Sequence, residues 1–148
     1  SSQILFKIFE NKEIIYEMIG MFQYEVAERI CSTKGTKKYG ILSVLIQAFF
    51  SVELLIKIKP ESFNPPPKVN SAVIRIRKVR DKIDCDEILF KQIIKSAFNQ
   101  RRKTLRNSLK SFKKIENIKE HSIFDKRAEE LDVDDYIFLT NLLSNGNI

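Results

Sequence analysis

The chain has 148 residues, a formal net charge of +7 and a pI near 9.4. That is room for one domain, or one with a small appendage, and the basic balance suggests an anionic partner without choosing between nucleic acid and a membrane surface. A single histidine, His121, and two cysteines far apart, Cys31 and Cys85, argue against a zinc centre, a disulfide framework or a Ser-His-Asp site. No apolar run reaches the ~18 residues of a membrane span.

Taken in order, Ile4, Leu5, Ile8 and Phe9 predict a short amphipathic helix over residues 2–10. Residues 14–22 are apolar almost throughout and predict a strand buried on both faces. Gln23 to Cys31 returns to helical spacing, and Glu25 and Arg29 can pair at i,i+4. Lys34 to Gly40 reads as a basic loop bounded by glycines, and Ile41 to Phe50 as an apolar helix. Strands are expected at Val52–Ile58 and Ala72–Val79, the pair forming a hairpin that gives the sheet an antiparallel edge. This order is that of the back half of an α/β sheet. A polar connector, Arg80 to Asp86, divides residues 1–80 from residues 81–148, which read as all helical. Ile93, Ile94, Ala97 and Phe98 mark one helix; Leu105, Leu109 and Phe112 mark another, with Gln100 at a bend between them. A last helix presents Tyr136, Ile137, Leu139, Leu142 and Leu143, with Asp132 or Asp134 as its cap and Gly146 as its stop. His121 is expected in an exposed loop.

Two stretches carry chemistry. Ser62 to Ser71 contains Pro65, Pro66 and Pro67, which fix backbone φ and remove three donors. A stiff loop between strands can hold one aromatic, Phe63, and one cation, Lys68, in place, or serve only as a connector. The second stretch runs from Lys91 to Lys114, with nine basic residues and no acid; of 26 Lys and Arg, that leaves 17 elsewhere against 19 acids. On a helix Lys103, Arg106, Lys110 and Lys113 would form a cationic stripe beside the apolar face, an arrangement suited to a nucleic-acid backbone or simply to solvent.

The residues Phe63-Asn-Pro-Pro-Pro-Lys-Val-Asn-Ser-Ala72 and Ala97-Phe-Asn-Gln-Arg-Arg-Lys-Thr-Leu-Arg-Asn-Ser-Leu109 closely resemble the KsgA-type ribosomal RNA small-subunit adenine dimethyltransferases. Gln23 to Arg29, Lys38 to Ser43 and Lys126 to Leu131 match weaker blocks of that family in the same order, and the resemblance covers essentially the whole chain. Tyr24 departs from the family, which usually has lysine there. The resemblance implies the back half of a Rossmann-like S-adenosylmethionine-dependent methyltransferase sheet followed by a small helical RNA-binding domain. It implies dimethylation of two adjacent adenines in small-subunit (16S) ribosomal RNA, in the cytoplasm, during ribosome biogenesis. Phe63 would be the stacking platform for the flipped adenine. Lys68, Asn99, Arg101, Arg102, Lys103 and Arg106 would contact RNA, with Lys34, Lys37 and Lys38 adding to the same surface. No Gly-rich strand-turn-helix and no Asn-Leu-Pro-Tyr motif occurs in the chain, so S-adenosylmethionine is expected to be held by residues upstream of Ser1.

Two other readings stand beside the enzyme: a non-catalytic module that docks on ribosomal RNA, and an ordinary helical interaction domain with a solvated basic face. The start at Ser-Ser-Gln suggests a fragment, a processed product or a cloned piece. An apolar strand lacking its partners would then favour dimerisation or element swapping.

Overall fold

The computed structural model describes residues 2–145. Helix α1 (Ser2–Glu10) buries Leu5, Ile8 and Phe9, the apolar stripe of its sequence. Strand β1 (Glu17–Gln23) leads directly into α2 (Tyr24–Cys31), then α3 (Ile41–Gln47), β2 (Phe50–Ile58) and β3 (Ser71–Lys78). Ser43 ties two of the helices: its hydroxyl donates to the Arg29 carbonyl at 2.5 Å and accepts from the Gly40 amide at 3.0 Å.

The sheet has three strands in the order β1-β3-β2, with β3 antiparallel to both neighbours. The expected hairpin therefore forms, but its returning strand is central and β2 is the edge. In β3, Ala72, Ile74 and Ile76 are wholly buried at every second position, on the face covered by helices, whereas β2 leaves Glu53, Leu54 and Ile56 exposed. A register shift between Leu54 and Ile56 marks the edge.

The expectation of a β1 buried on both faces is corrected. Helices α2 and α3 pack on one face, which holds Phe22, Ile74 and Ile76. Across the other face, Ile19 lies opposite Arg75 and Met21 opposite Val73, and Ile19 and Met21 are more than half exposed. Arg75 Nε is buried there without a hydrogen-bond partner among the described residues.

The second part begins with α4 (Glu87–Asn99), capped by Asp86, whose carboxylate accepts from the Leu89 amide at 3.0 Å. The helix expected over Leu105, Leu109 and Phe112 is a single turn, α5 (Leu105–Ser108), and the chain continues through short 3₁₀ turns at Lys113–Asn117, Ser122–Asp125 and Ala128–Glu130 to α6 (Val133–Asn145). The continuous stripe of Lys103, Arg106, Lys110 and Lys113 therefore does not form. Tertiary bonds end the helix early: the Leu105 amide donates to the Lys126 carbonyl at 2.8 Å, and Thr104 bridges to Arg127. Leu105, Leu109, Ile115, Ile118 and Phe124 are still buried, delivered by three successive short turns. His121 is half-buried, not exposed; its Nδ1 accepts from the Ile123 amide at 3.1 Å and its ring packs on Phe138.

One hydrophobic cluster runs from Leu5 and Phe49 through Tyr39, Phe90 and Phe98 to Tyr136 and Leu142. Lys12, only 7% exposed, lies 4.6 Å from the Phe9 ring and 4.9 Å from the Phe49 ring, and its ammonium reaches Glu87 at 2.7 Å. A buried cation so enclosed is held by rings and carboxylate together, and it fastens α1 to α4.

Asp132, not Asp134, caps α6. It accepts from the Asp135 amide at 2.8 Å while Asp135 accepts from the Asp132 amide at 3.1 Å, a reciprocal cap. Gly146, the expected stop, lies outside the described residues. Burial works to raise the Asp132 carboxyl, but the Asp135 amide and the Lys34 ammonium outweigh it and hold the group below the usual carboxylate range. A depressed folded-state value stabilises the fold above the unfolded carboxylate range and is lost as pH falls through the folded value. We expect Asp132→Ala to cost about 1 kcal/mol at neutral pH and Asp132→Asn less, with both substitutions reducing the acid-side loss in urea titrations. An Asp132→Ala protein as stable as the parent at neutral pH would refute the cap.

Candidate nucleic-acid interface

The proline loop is built on two backbone turns. The Ser62 and Phe63 amides each donate at 3.1 Å, to the Lys59 and Pro60 carbonyls, closing a 3₁₀ turn over Pro60–Ser62. At the far end the Tyr24 amide donates to the Asn70 carbonyl at 2.9 Å, so the loop returns to the start of α2. The Asn64–Pro65 peptide is cis. Between these anchors Phe63 is half-buried, and Asn64 to Lys68 all face solvent. Lys68 has no ion pair among the described residues.

Sequence reasoning missed a neighbour of this loop. Tyr24 lies under Lys57 of β2, whose ammonium is 4.3 Å from the ring centroid. Lys57, Lys59, Glu61 and Asn70 line a shallow cavity beside the loop. The only sequence signal was that position 24 breaks the family pattern; its partner is 33 residues away and found only by the sheet register.

The turn that follows α4 carries the other predicted residues. Asn99, Arg102 and Lys103 are exposed and have no ion pair among the described residues. Arg101 and Arg106 are placed differently. Arg101 Nη2 donates to the Tyr39 carbonyl at 3.0 Å and reaches Glu129 at 3.5 Å, with its guanidinium over Phe98. Arg106 donates to Asp125 at 2.5 Å and, through Nε and Nη2, to the Lys119 carbonyl at 3.1 and 2.8 Å. Arg106 uses the guanidinium fork on a carbonyl and a carboxylate together, whereas Arg101 makes both contacts through Nη2.

The basic loop meets this turn. The Gly35 amide donates to the Glu129 carbonyl at 2.7 Å, and Gly35 has φ +89°, a left-handed conformation that disfavours other residues. Lys34 pairs with Asp132 and Asp135, and Lys38 with Glu25 and Glu28, while Lys37 is exposed without an ion pair among the described residues. The loop and the turn thus sit side by side, and Gly35, Thr104, Asp125, Arg127, Glu129 and Glu130 line the cleft between them.

β1 passes into α2 at Gln23–Tyr24 with no intervening turn, Gly20 lies mid-strand, and Gly35 sits in the distant basic loop. Among the described residues there is no cluster of ligands for a metal ion.

The architecture defines a class. It is similar to the crystal structure of a dimethyladenosine transferase from Plasmodium falciparum (TM-score 0.86, 21% identity, covering 99% of this chain and 63% of that one). A weaker likeness is to the crystal structure of 23S rRNA methyltransferase ErmE (TM-score 0.63, 21% identity, 97% of this chain and 60% of that one). These share the α/β fold. A family model described as "Ribosomal RNA adenine dimethylase" matches residues 1–144, and the chain belongs to that family. Relatives named "Ribosomal RNA small subunit methyltransferase A" include that of Bacteroides thetaiotaomicron, 56% identical over 95% of this chain and 54% of its own length. That of Flavobacterium johnsoniae is 52% identical over 100% of this chain and 57% of its own length. The chain therefore spans about half the length of these relatives.

Proposed function

We propose that this chain supplies the target-base loop and the RNA-facing surface of an S-adenosylmethionine-dependent enzyme that dimethylates two adjacent adenines of small-subunit ribosomal RNA. Family membership is the observation that carries this reading. The division into a methyltransferase part over residues 1–80 and an RNA-binding part over residues 81–148 belongs to the same proposal. The methyl donor, which supplies an electrophilic methyl group when bound, is assigned to the portion of the family fold that this chain does not match.

An exocyclic amine inside a stacked helix is out of reach, so the adenine must leave the stack. Phe63, anchored by its own amide to Pro60 and half-exposed beside stiff prolines, presents a ring on which a flipped base can stack. Lys68 stands five residues beyond it, in reach of solvent and of a phosphate. No side chain of this chain is assigned the adenine proton.

RNA helices are held mainly through phosphate and shape. The exposed Arg102, Lys103 and Lys37 are suited to that, with Asn99 as a neutral donor beside them. The test is the salt dependence of binding of this chain to an A-form RNA hairpin. Removing charge at Arg102 and Lys103 together should lower the log–log slope by about two, one for each phosphate no longer neutralised. An unchanged slope would take this turn out of the interface. A non-catalytic docking module would show the same slopes, and only methyl transfer by the full-length enzyme separates the two.

A further inference from the structure

We infer that Arg101 and Arg106 are positioning residues that neutralise the carboxylate floor of the cleft between the basic loop and the Gln100–Thr104 turn, leaving RNA contact to Lys37, Arg102 and Lys103. The inference rests on the RNA-binding reading above.

The cleft is an odd place for an RNA backbone, because three of its lining residues, Asp125, Glu129 and Glu130, are acidic. A phosphate approaching bare carboxylates would be repelled. Each acid is nevertheless occupied. Asp125 takes the Arg106 guanidinium at 2.5 Å, Glu129 lies 3.5 Å from Arg101, and Glu130 accepts from the Arg127 amide at 2.7 Å. The two arginines therefore cancel the two acids closest to them. Arg127, which lines the cleft, and the cations bordering it in sequence, Lys37 near Gly35 and Arg102 and Lys103 before Thr104, carry no such partner among the described residues and set the sign of the surface.

Arg101 has a second task. Through the Tyr39 carbonyl it holds the C-terminal end of the basic loop, while the Gly35 amide on the Glu129 carbonyl holds the other. Glu129 is thus joined to the loop by its backbone and to the turn by its side chain. Lys37 and the Arg102–Lys103 pair are kept in one fixed relation, which is how a rigid phosphate spacing is matched.

The consequence is a rescue that a direct phosphate contact would not show. In the 148-residue chain, Arg101→Met should weaken binding to an A-form RNA hairpin about tenfold at low salt, because Glu129 is left uncompensated at the cleft. Adding Glu129→Gln keeps the backbone carbonyl that Gly35 uses and should restore affinity to within about threefold of the parent. Arg102→Met should lose affinity and slope, with no rescue by Glu129→Gln. Arg106→Met with Asp125→Asn gives an independent pair, read in the same way if Arg101→Met fails to fold by circular dichroism. Loss at Arg101 that Glu129→Gln leaves unrepaired, with a salt slope lower by about one, would make Arg101 a phosphate ligand and overturn the inference. Failure of the unsubstituted chain to bind the hairpin would instead overturn the RNA-binding reading, and the inference with it.

Discussion

Phe63→Ala, made in a full-length family enzyme carrying this segment, is expected to lower kcat/KM for adenine methylation by roughly 5- to 150-fold while changing RNA affinity by less than about threefold. The range is the rate equivalent of the 1–3 kcal/mol that base–aromatic stacking contributes. The asymmetry follows from geometry. Phe63 sits on the proline loop at the end of the β2–β3 hairpin, whereas the exposed cations of the basic loop and the Gln100–Thr104 turn lie on other elements. A ring that holds only the extruded base stabilises the reacting complex and not the initial docking of the RNA. Phe63→Tyr should retain most activity, since a π-face remains. Equal loss of methylation and RNA affinity in Phe63→Ala would remove the platform role, as would an alanine variant with full activity.

Phe49→Ala is expected to destabilise the folded chain by about 3–5 kcal/mol, measured as the free energy of urea unfolding. Phe49 is wholly buried at the junction of α3 and β2 and meets Phe9 edge-on at 5.7 Å. Its ring also lies under the Lys12 ammonium, and its carbonyl accepts from the Val79 amide at 2.8 Å. Deleting the ring opens a cavity beneath α1 and removes one of two aromatic faces from a buried cation. That compounding puts the site at the upper end for a core phenylalanine. A cost below about 1 kcal/mol would mean that α1 is not held as described.

Much of the architecture was legible from periodicity. α1, α2, α4 and α6 lie where helical spacing of Leu5, Ala27, Ile93 and Tyr136 predicts them, and β2 and β3 lie where aliphatic runs flank the prolines, β2 starting at Phe50, the expected last residue of the preceding helix. These elements are governed by short-range pattern, which a single sequence contains. The helix predicted through Phe112 was not legible, because its termination depends on Lys126 and Arg127, some twenty residues further on.

At the candidate site the split is of the same kind. Phe63, Lys68, Asn99, Arg102 and Lys103 could be singled out from residue type and motif. The commitment of Arg101 to Tyr39 and Glu129, and of Arg106 to Asp125 and Lys119, could not. Charge counting treats every cation between Lys91 and Lys114 alike, and only partners distant in sequence distinguish a free guanidinium from an occupied one.

By itself, then, the sequence determined the basic excess of one stretch, the stiffness of the proline loop and the family to which both belong, since each resides in residues next to one another. Tertiary structure decided that β3 is central, that Ile19 and Met21 are exposed on one face of the sheet among the described residues, and that two of the arginines between Lys91 and Lys114 bond within the fold. These outcomes rest on register and on pairs such as Arg101–Glu129, whose members the chain brings together only by folding.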